Sequence, residues 1–176
     1  MTKQNKKGFT IIEVVLVLAI GGLIFLMVFI ALPALQRSQR NTQREDDLAR
    51  VLTAVNDYQT NNSGKTPFEK GDVDPNFLKR YVDEETVYDA TKPITTCGDQ
   101  FKDPDGECYQ IKVAGSAKAG DEGKATGLKD FDHTFYVYTN AGCGDLEGTY
   151  DVGTGKRQVA IFFVAEGGAI ACNDNH

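Results

Sequence analysis

The sequence has no tryptophan, and only two histidines and four cysteines among 176 residues. Without tryptophan, any apolar core must be built from the ten Phe, the seven Tyr and the aliphatic residues. No cysteine precedes Cys97 and none forms a Cys-x-x-Cys pair. With so few histidines, that argues against a structural zinc site. His133 stands among acidic and aromatic residues, with no nucleophile and orienting base near it in sequence. It reads as a structural residue at the start of a strand, and His176 as a frayed terminus. No catalytic constellation stands out, so the sequence does not read as an enzyme and calls for no cofactor. Net charge is -6, and Lys3, Lys6 and Lys7 supply all the charge of the first eight residues. Without them 16 basic residues face 25 acidic ones, a net -9. Such a surface gives no bulk attraction to nucleic acid, which is not indicated as a partner.

The largest absence lies near the N-terminus. From Val14 to Leu32, 19 residues carry no charge, hydroxyl or amide. About 20 apolar residues suffice to cross a bilayer core as a helix. At the mouth of the run stands one carboxylate, Glu13, and a carboxylate there is a candidate functional group by default. A cleaved secretory signal would have a shorter apolar core and a small-residue cleavage site, whereas Pro33-Ala34-Leu35-Gln36 follows here. A plain membrane anchor explains the length and the lysines. It does not explain Gly8-Phe9 with a glutamate four residues on.

The run Lys7-Gly8-Phe9-Thr10-Ile11-Ile12-Glu13-Val14 resembles the class III signal of type IV pilins and of the pseudopilins of type II secretion. The resemblance covers roughly residues 3–62. It implies a leader, residues 1–8, cut after Gly8 by a prepilin peptidase whose methyltransferase activity then methylates the Phe9 amine. It also implies that Glu13 and the amine of Phe9, from neighbouring subunits, pair during assembly. A charge buried among apolar helices is tolerable only when paired, so such a contact sets register more than it adds stability. The partners implied are further copies of the chain, related minor pilins, an inner-membrane assembly platform, and membrane lipid before assembly.

The helix is expected to continue past the membrane. Between Gln36 and Asn62 there is no Gly or Pro, and Leu48, Val51, Leu52, Val55 and Tyr58 form one helical stripe. Asn61-Asn62-Ser63-Gly64 then supplies a stop. The segments expected are a membrane-spanning or filament-core half at 9–35, an amphipathic half at 36–62 and a soluble head at 63–176. A helix from Phe9 to about Asn62 would measure roughly 80 Å at 1.5 Å per residue. Gly21-Gly22 and Pro33 interrupt its first half. Two readings stay open for them: local melting on assembly, as in pilins, or close helix packing in lipid. The proline in question usually falls nearer the N-terminus in pilins, at the position of Ile30, so the place of any melting is not fixed.

In the head, Asp74-Pro75 opens a short helix. Strands are expected at Cys108–Val113, Thr134–Thr139 and Gln158–Val164, the last apolar on both faces and so central. Residues 114–132, rich in Gly, Ala, Lys and Asp, read as a long exposed loop. The fold class expected is α+β, a long N-terminal helix on a small antiparallel sheet, as in type IV pilins. Tyr136 and Tyr138 share one strand face, which reads as sheet core or subunit contact before ligand surface. Asn61-Asn62-Ser63 fits a glycosylation sequon, a weak signal.

Asp99, Asp103, Asp105 and Glu107 invite a calcium reading, because clustered carboxylates suit that ion. The spacing is not that of an EF-hand, and Asp103-Pro104-Asp105-Gly106 is a good type I turn, which is the preferred reading. The four cysteines allow three connectivities. In an exported head they read as two disulfides, with Cys97–Cys108 and Cys143–Cys172 favoured. The first closes a short turn-rich loop and the second ties back the C-terminus. Arg37, Arg40 and Arg44 weaken the charge asymmetry across the span, so the resemblance, more than charge counting, places the N-terminus inside and the head outside. The function expected is that of a structural subunit of a type IV pilus, stored in the cytoplasmic membrane and then polymerised on the cell surface. Motility, adhesion or DNA uptake would be its use. The alternatives are a type II secretion pseudopilin and a single-pass anchored binding domain that is never cut.

Overall fold

The computed structural model describes residues 8–69, 71–117, 123–125, 127–129, 132–153, 155 and 157–175. Lys3, Lys6, Lys7 and His176 lie outside them. One continuous helix, α1, spans Ile11–Asn61. The chain divides into two compact units between Gln39 and Arg40.

The first unit is the N-terminal stretch of α1, helical through Gly21-Gly22 and Pro33. Phe9 and the large apolar residues from Ile11 to Leu35 are exposed. Its apolar residues point in every direction around the axis, as in a helix made for an apolar surrounding.

In the second unit α1 is amphipathic. Leu48, Val51, Ala54 and Val55 are buried, with Leu52 and Tyr58 packed against the same core. The helix ends as a Schellman turn. Ser63 takes a left-handed φ of 57°, and the Gly64 N–H donates to the Gln59 carbonyl at 2.7 Å. Gly64 (φ 78°) also lies under the Arg157 guanidinium, where a Cβ would sit 2.3 Å from its atoms.

Strands β1 (Phe68–Glu69) and β2 (Asp72–Val73) form a small antiparallel ribbon. Asp74 caps the short helix α2 (Pro75–Phe77), accepting from the Asn76 N–H, and α2 runs into a wider turn at Leu78–Val82. The main sheet has the order β3 (Gln110–Ser116), β5 (Thr134–Thr139), β8 (Val159–Val164), β9 (Ile170–Asp174). A second sheet has the order β4 (Gly123–Lys124), β7 (Thr149–Val152), β6 (Ala141–Cys143). Among the described residues the strand pairings are antiparallel except β3–β5, which is parallel. A parallel pair needs a crossover of about a dozen residues or more, and the chain between Ser116 and Thr134 provides that length. The fold is α+β, a long helix packed on largely antiparallel sheets.

The central strands β5 and β8 are covered on both faces. Phe135, Val137, Val159, Ile161 and Phe163 join the core that includes Leu48, Val51 and Val55 of α1. Tyr136, Tyr138, Ala160 and Phe162 belong to a second core with Ala141 and, packed against it, Tyr150. Strand alternation sends neighbouring residues to opposite faces, which is why one strand feeds two cores.

Two sequence readings are corrected. The strand expected at Cys108–Val113 is β3, which starts at Gln110 and continues to Ser116 beyond a bulge between Val113 and Gly115. The stretch 114–132 is not wholly an exposed loop. Ala117 and Ala125 are buried in the second core, and Gly123–Lys124 pairs with β7. Residues 118–122, 126, 130 and 131 lie outside the described part.

Candidate functional site

Gly8, Phe9 and Thr10 precede the first turn of α1 in non-helical conformation, and Phe9 is 90% exposed. Thr10 is the helix cap, because its carbonyl accepts the first helical bond, from the Val14 N–H at 3.3 Å. Glu13 closes back on it. One carboxylate oxygen, Oε2, accepts from the Thr10 N–H at 2.8 Å and from Thr10 Oγ1 at 2.9 Å, while the Glu13 N–H donates to Thr10 Oγ1 at 3.3 Å. This reciprocal pair is a capping box, Thr-x-x-Glu, which satisfies two amides that a helix start leaves orphaned. The sequence reading singled out Glu13 and passed over Thr10, although the Thr-x-x-Glu spacing was there to be read. Beyond Glu13 the helix is long and apolar enough to cross a membrane.

A second constellation lies wholly in the head unit. The Arg44 side chain is fully buried, and its Nε and Nη2 donate to the two oxygens of Asp103, itself fully buried, at 2.5 and 2.9 Å. Nη2 also reaches Asp105 at 2.7 Å, and Nη1 reaches Glu166 at 2.6 Å. Arg40 holds Glu166 in a bidentate pair at 2.7 Å for each bond. The Glu166 N–H donates to Asn41 Oδ1, and the Asn41 amide donates to the Glu166 carbonyl. Two arginines one helical turn apart thus fasten α1 to the turn 103–106 and to the turn after β8. One helical turn further along α1, the Tyr109 hydroxyl donates to Asp47 at 2.8 Å, and Asp47 also pairs with Arg50.

The electrostatics follow from these contacts. Hydrogen bonds from Arg40, opposed by burial and joined by Arg44, bring the Glu166 carboxyl down from 4.5 to about 2. Burial pushes the Asp103 carboxyl up, but the Arg44 guanidinium outweighs it and holds it below the usual range. Burial likewise acts against the charge of Arg44, and the bonds to Asp103 and Glu166 reverse that and raise its pKa. Glu166, Asp103 and Arg44 thus favour their charged forms. Pairs of this kind contribute little net stability over an apolar filling, but losing one partner is severe.

Two of the four calcium candidates, Asp103 and Asp105, lie together, with ligand atoms within 4.8 Å of one another and of His133. Asp103 and Asp105 face Arg44, Asp99 is exposed and paired with Lys102, and Glu107 is exposed. The acidic stretch is built as a turn. The Gly106 N–H donates to the Asp103 carbonyl, the Asp103 N–H to the Glu107 carbonyl, and Gly106 takes a φ of 91°. His133 Nδ1 lies 3.4 Å from Asp103 Oδ2, so the histidine joins the edge of the Arg44 cluster. Tyr136 and Tyr138 are buried in the second core. Cys97 is bonded to Cys108 and Cys143 to Cys172.

Arg44 and Asp47 were missed in the sequence because their charge excluded them from an apolar stripe. Their spacing placed them on it, since Arg44 lies one turn before Leu48 and Asp47 adjoins it. Nothing local pointed to Asp103 or Glu166 as partners.

Residues 3–29 match the family model described as the prokaryotic N-terminal methylation motif. This is the class III signal of type IV pilins and pseudopilins. No curated protein and no solved structure matches the chain.

Proposed function

We propose that the chain is the precursor of a structural subunit of a type IV pilus. The match of residues 3–29 to the methylation motif carries this reading, and it supports a pilin or pseudopilin precursor. In the proposal a prepilin peptidase cuts the Gly8–Phe9 bond, removing leader 1–8, and the new amine of Phe9 is methylated. Residues 9–35 then serve first as membrane anchor and later as filament core. Segment 36–62 carries the head 63–176, which emerges on the outer side of the cytoplasmic membrane. Glu13 pairs with the amine of Phe9 of a neighbouring copy during assembly. The exposed apolar surface of α1 supports a role that ends in burial, since an apolar surface this large is stable only in lipid or against other helices. The two disulfides suit a head folded in an oxidising compartment.

Electron microscopy of cells expressing the chain with an epitope on the head tests the reading. Long surface filaments labelled along the shaft are expected, and they vanish when the gene is deleted. Loss of protein secretion on deletion, with no long filaments, would instead assign the chain to type II secretion.

A further inference from the structure

Resting on the reading above, we propose that Thr10 is a positioning residue for leader removal. Its capping box with Glu13 stops α1 at Ile11 and thereby leaves the Gly8–Phe9 bond in exposed, non-helical chain. The observation is the triple contact between the two residues, at 2.8, 2.9 and 3.3 Å, with Gly8, Phe9 and Thr10 outside the helix and exposed.

The chemistry requires such a stop. Water adds to the Gly8 carbonyl, the C–N bond breaks, Gly8 leaves as a carboxylate and Phe9 keeps the nitrogen as an amine. A peptidase must reach that carbonyl from the side, and in a helix the carbonyl faces along the axis, bonded to an amide four residues on. Apart from the box, little in the neighbouring sequence stops the helix. Phe9 is tolerated in a helix, and Ile11, Ile12 and the apolar run continue the pattern, so only Gly8 resists propagation upstream. With Thr10 as cap, the Thr10 N–H is satisfied by Glu13 and has no need of a carbonyl further upstream. The same carboxylate that later serves assembly thus first fixes where the helix begins.

The test is the rate at which membranes containing a prepilin peptidase release Met1–Gly8 from the full-length precursor, followed by mass spectrometry for position-10 variants. N-cap preference runs Asn and Ser, then Thr and Gly, and far below them Ala and Val. The proposal predicts that cleavage follows this order. Thr10→Ser, Thr10→Asn and Thr10→Gly are cut at about the wild-type rate or faster. Thr10→Ala and Thr10→Val are cut roughly fivefold more slowly, the factor that a lost N-cap represents. Contact of the hydroxyl with the peptidase would instead group Gly and Asn with Ala and Val. Either that grouping, or wild-type rates for Ala and Val, overturns the proposal. Head folding is checked by complete oxidation of the four cysteines in each variant. If the wild-type precursor itself is not cut, the processing reading falls, a failure distinct from a wrong ranking among variants.

Discussion

Arg44 ties the amphipathic part of α1 to two turns of the head. Its guanidinium is fully buried and satisfies carboxylates from two distant turns at once. Replacing Arg44 with Met fills similar space but leaves Asp103 buried without its counter-charge. The expected loss is about 3–5 kcal/mol of head stability at pH 7, read from urea unfolding of the full chain in detergent. Arg44→Met combined with Asp103→Leu should recover much of it, because the stranded charge is then gone. Acid should act on the same contacts. Glu166 and Asp103 have lowered pKa values in the folded state, so their contribution is complete above the ordinary carboxylate range and is lost as pH falls. For Glu166 the window runs from 4.5 down to about 2. Unfolding midpoints of the wild type should therefore drop between those values, and Glu166→Gln should flatten part of the drop. This cluster was half legible in the sequence. The helical face of Arg44 and Asp47 follows from spacing, but a partner some sixty residues away is fixed by the tertiary path of the chain.

At the scale of elements, the two disulfides staple different things. Cys97–Cys108 closes a loop with a sequence separation of 11, and Cys143–Cys172 ties β6 to the edge strand β9 across a separation of 29. If chain entropy dominates, opening the first costs about 2.8 kcal/mol and opening the second about 3.6 kcal/mol. Cys143→Ser with Cys172→Ser should lower the thermal midpoint more than the matching pair of changes at 97 and 108, as calorimetry can check. The three longest runs of strand were readable from alternation and from the doubly apolar pattern of Val159–Val164. The direction of β3 beside β5 was not, because parallel and antiparallel strands carry the same local pattern and differ in how the chain returns. The short strand β4 was hidden for a related reason. Two residues in a Gly- and Lys-rich stretch have no periodicity, and only the partner β7 makes them a strand.

At the scale of the whole molecule, the chain joins a head with two cores of its own to a helix whose first part has none. Sequence made that division plain, since an uncharged run of 19 residues followed by one amphipathic stripe admits few other arrangements. In the proposed function the bare helix serves as anchor before cleavage and as packing surface afterwards. The central claim is that the chain is cut after Gly8 and carried into a surface polymer. Mass spectrometry of the N-terminal peptide, from protein sheared off intact cells, tests it most directly. The account predicts a chain that starts at Phe9 with a methyl group on its amine. Full-length chain retaining Met1–Gly8, found only in the membrane fraction, would contradict it.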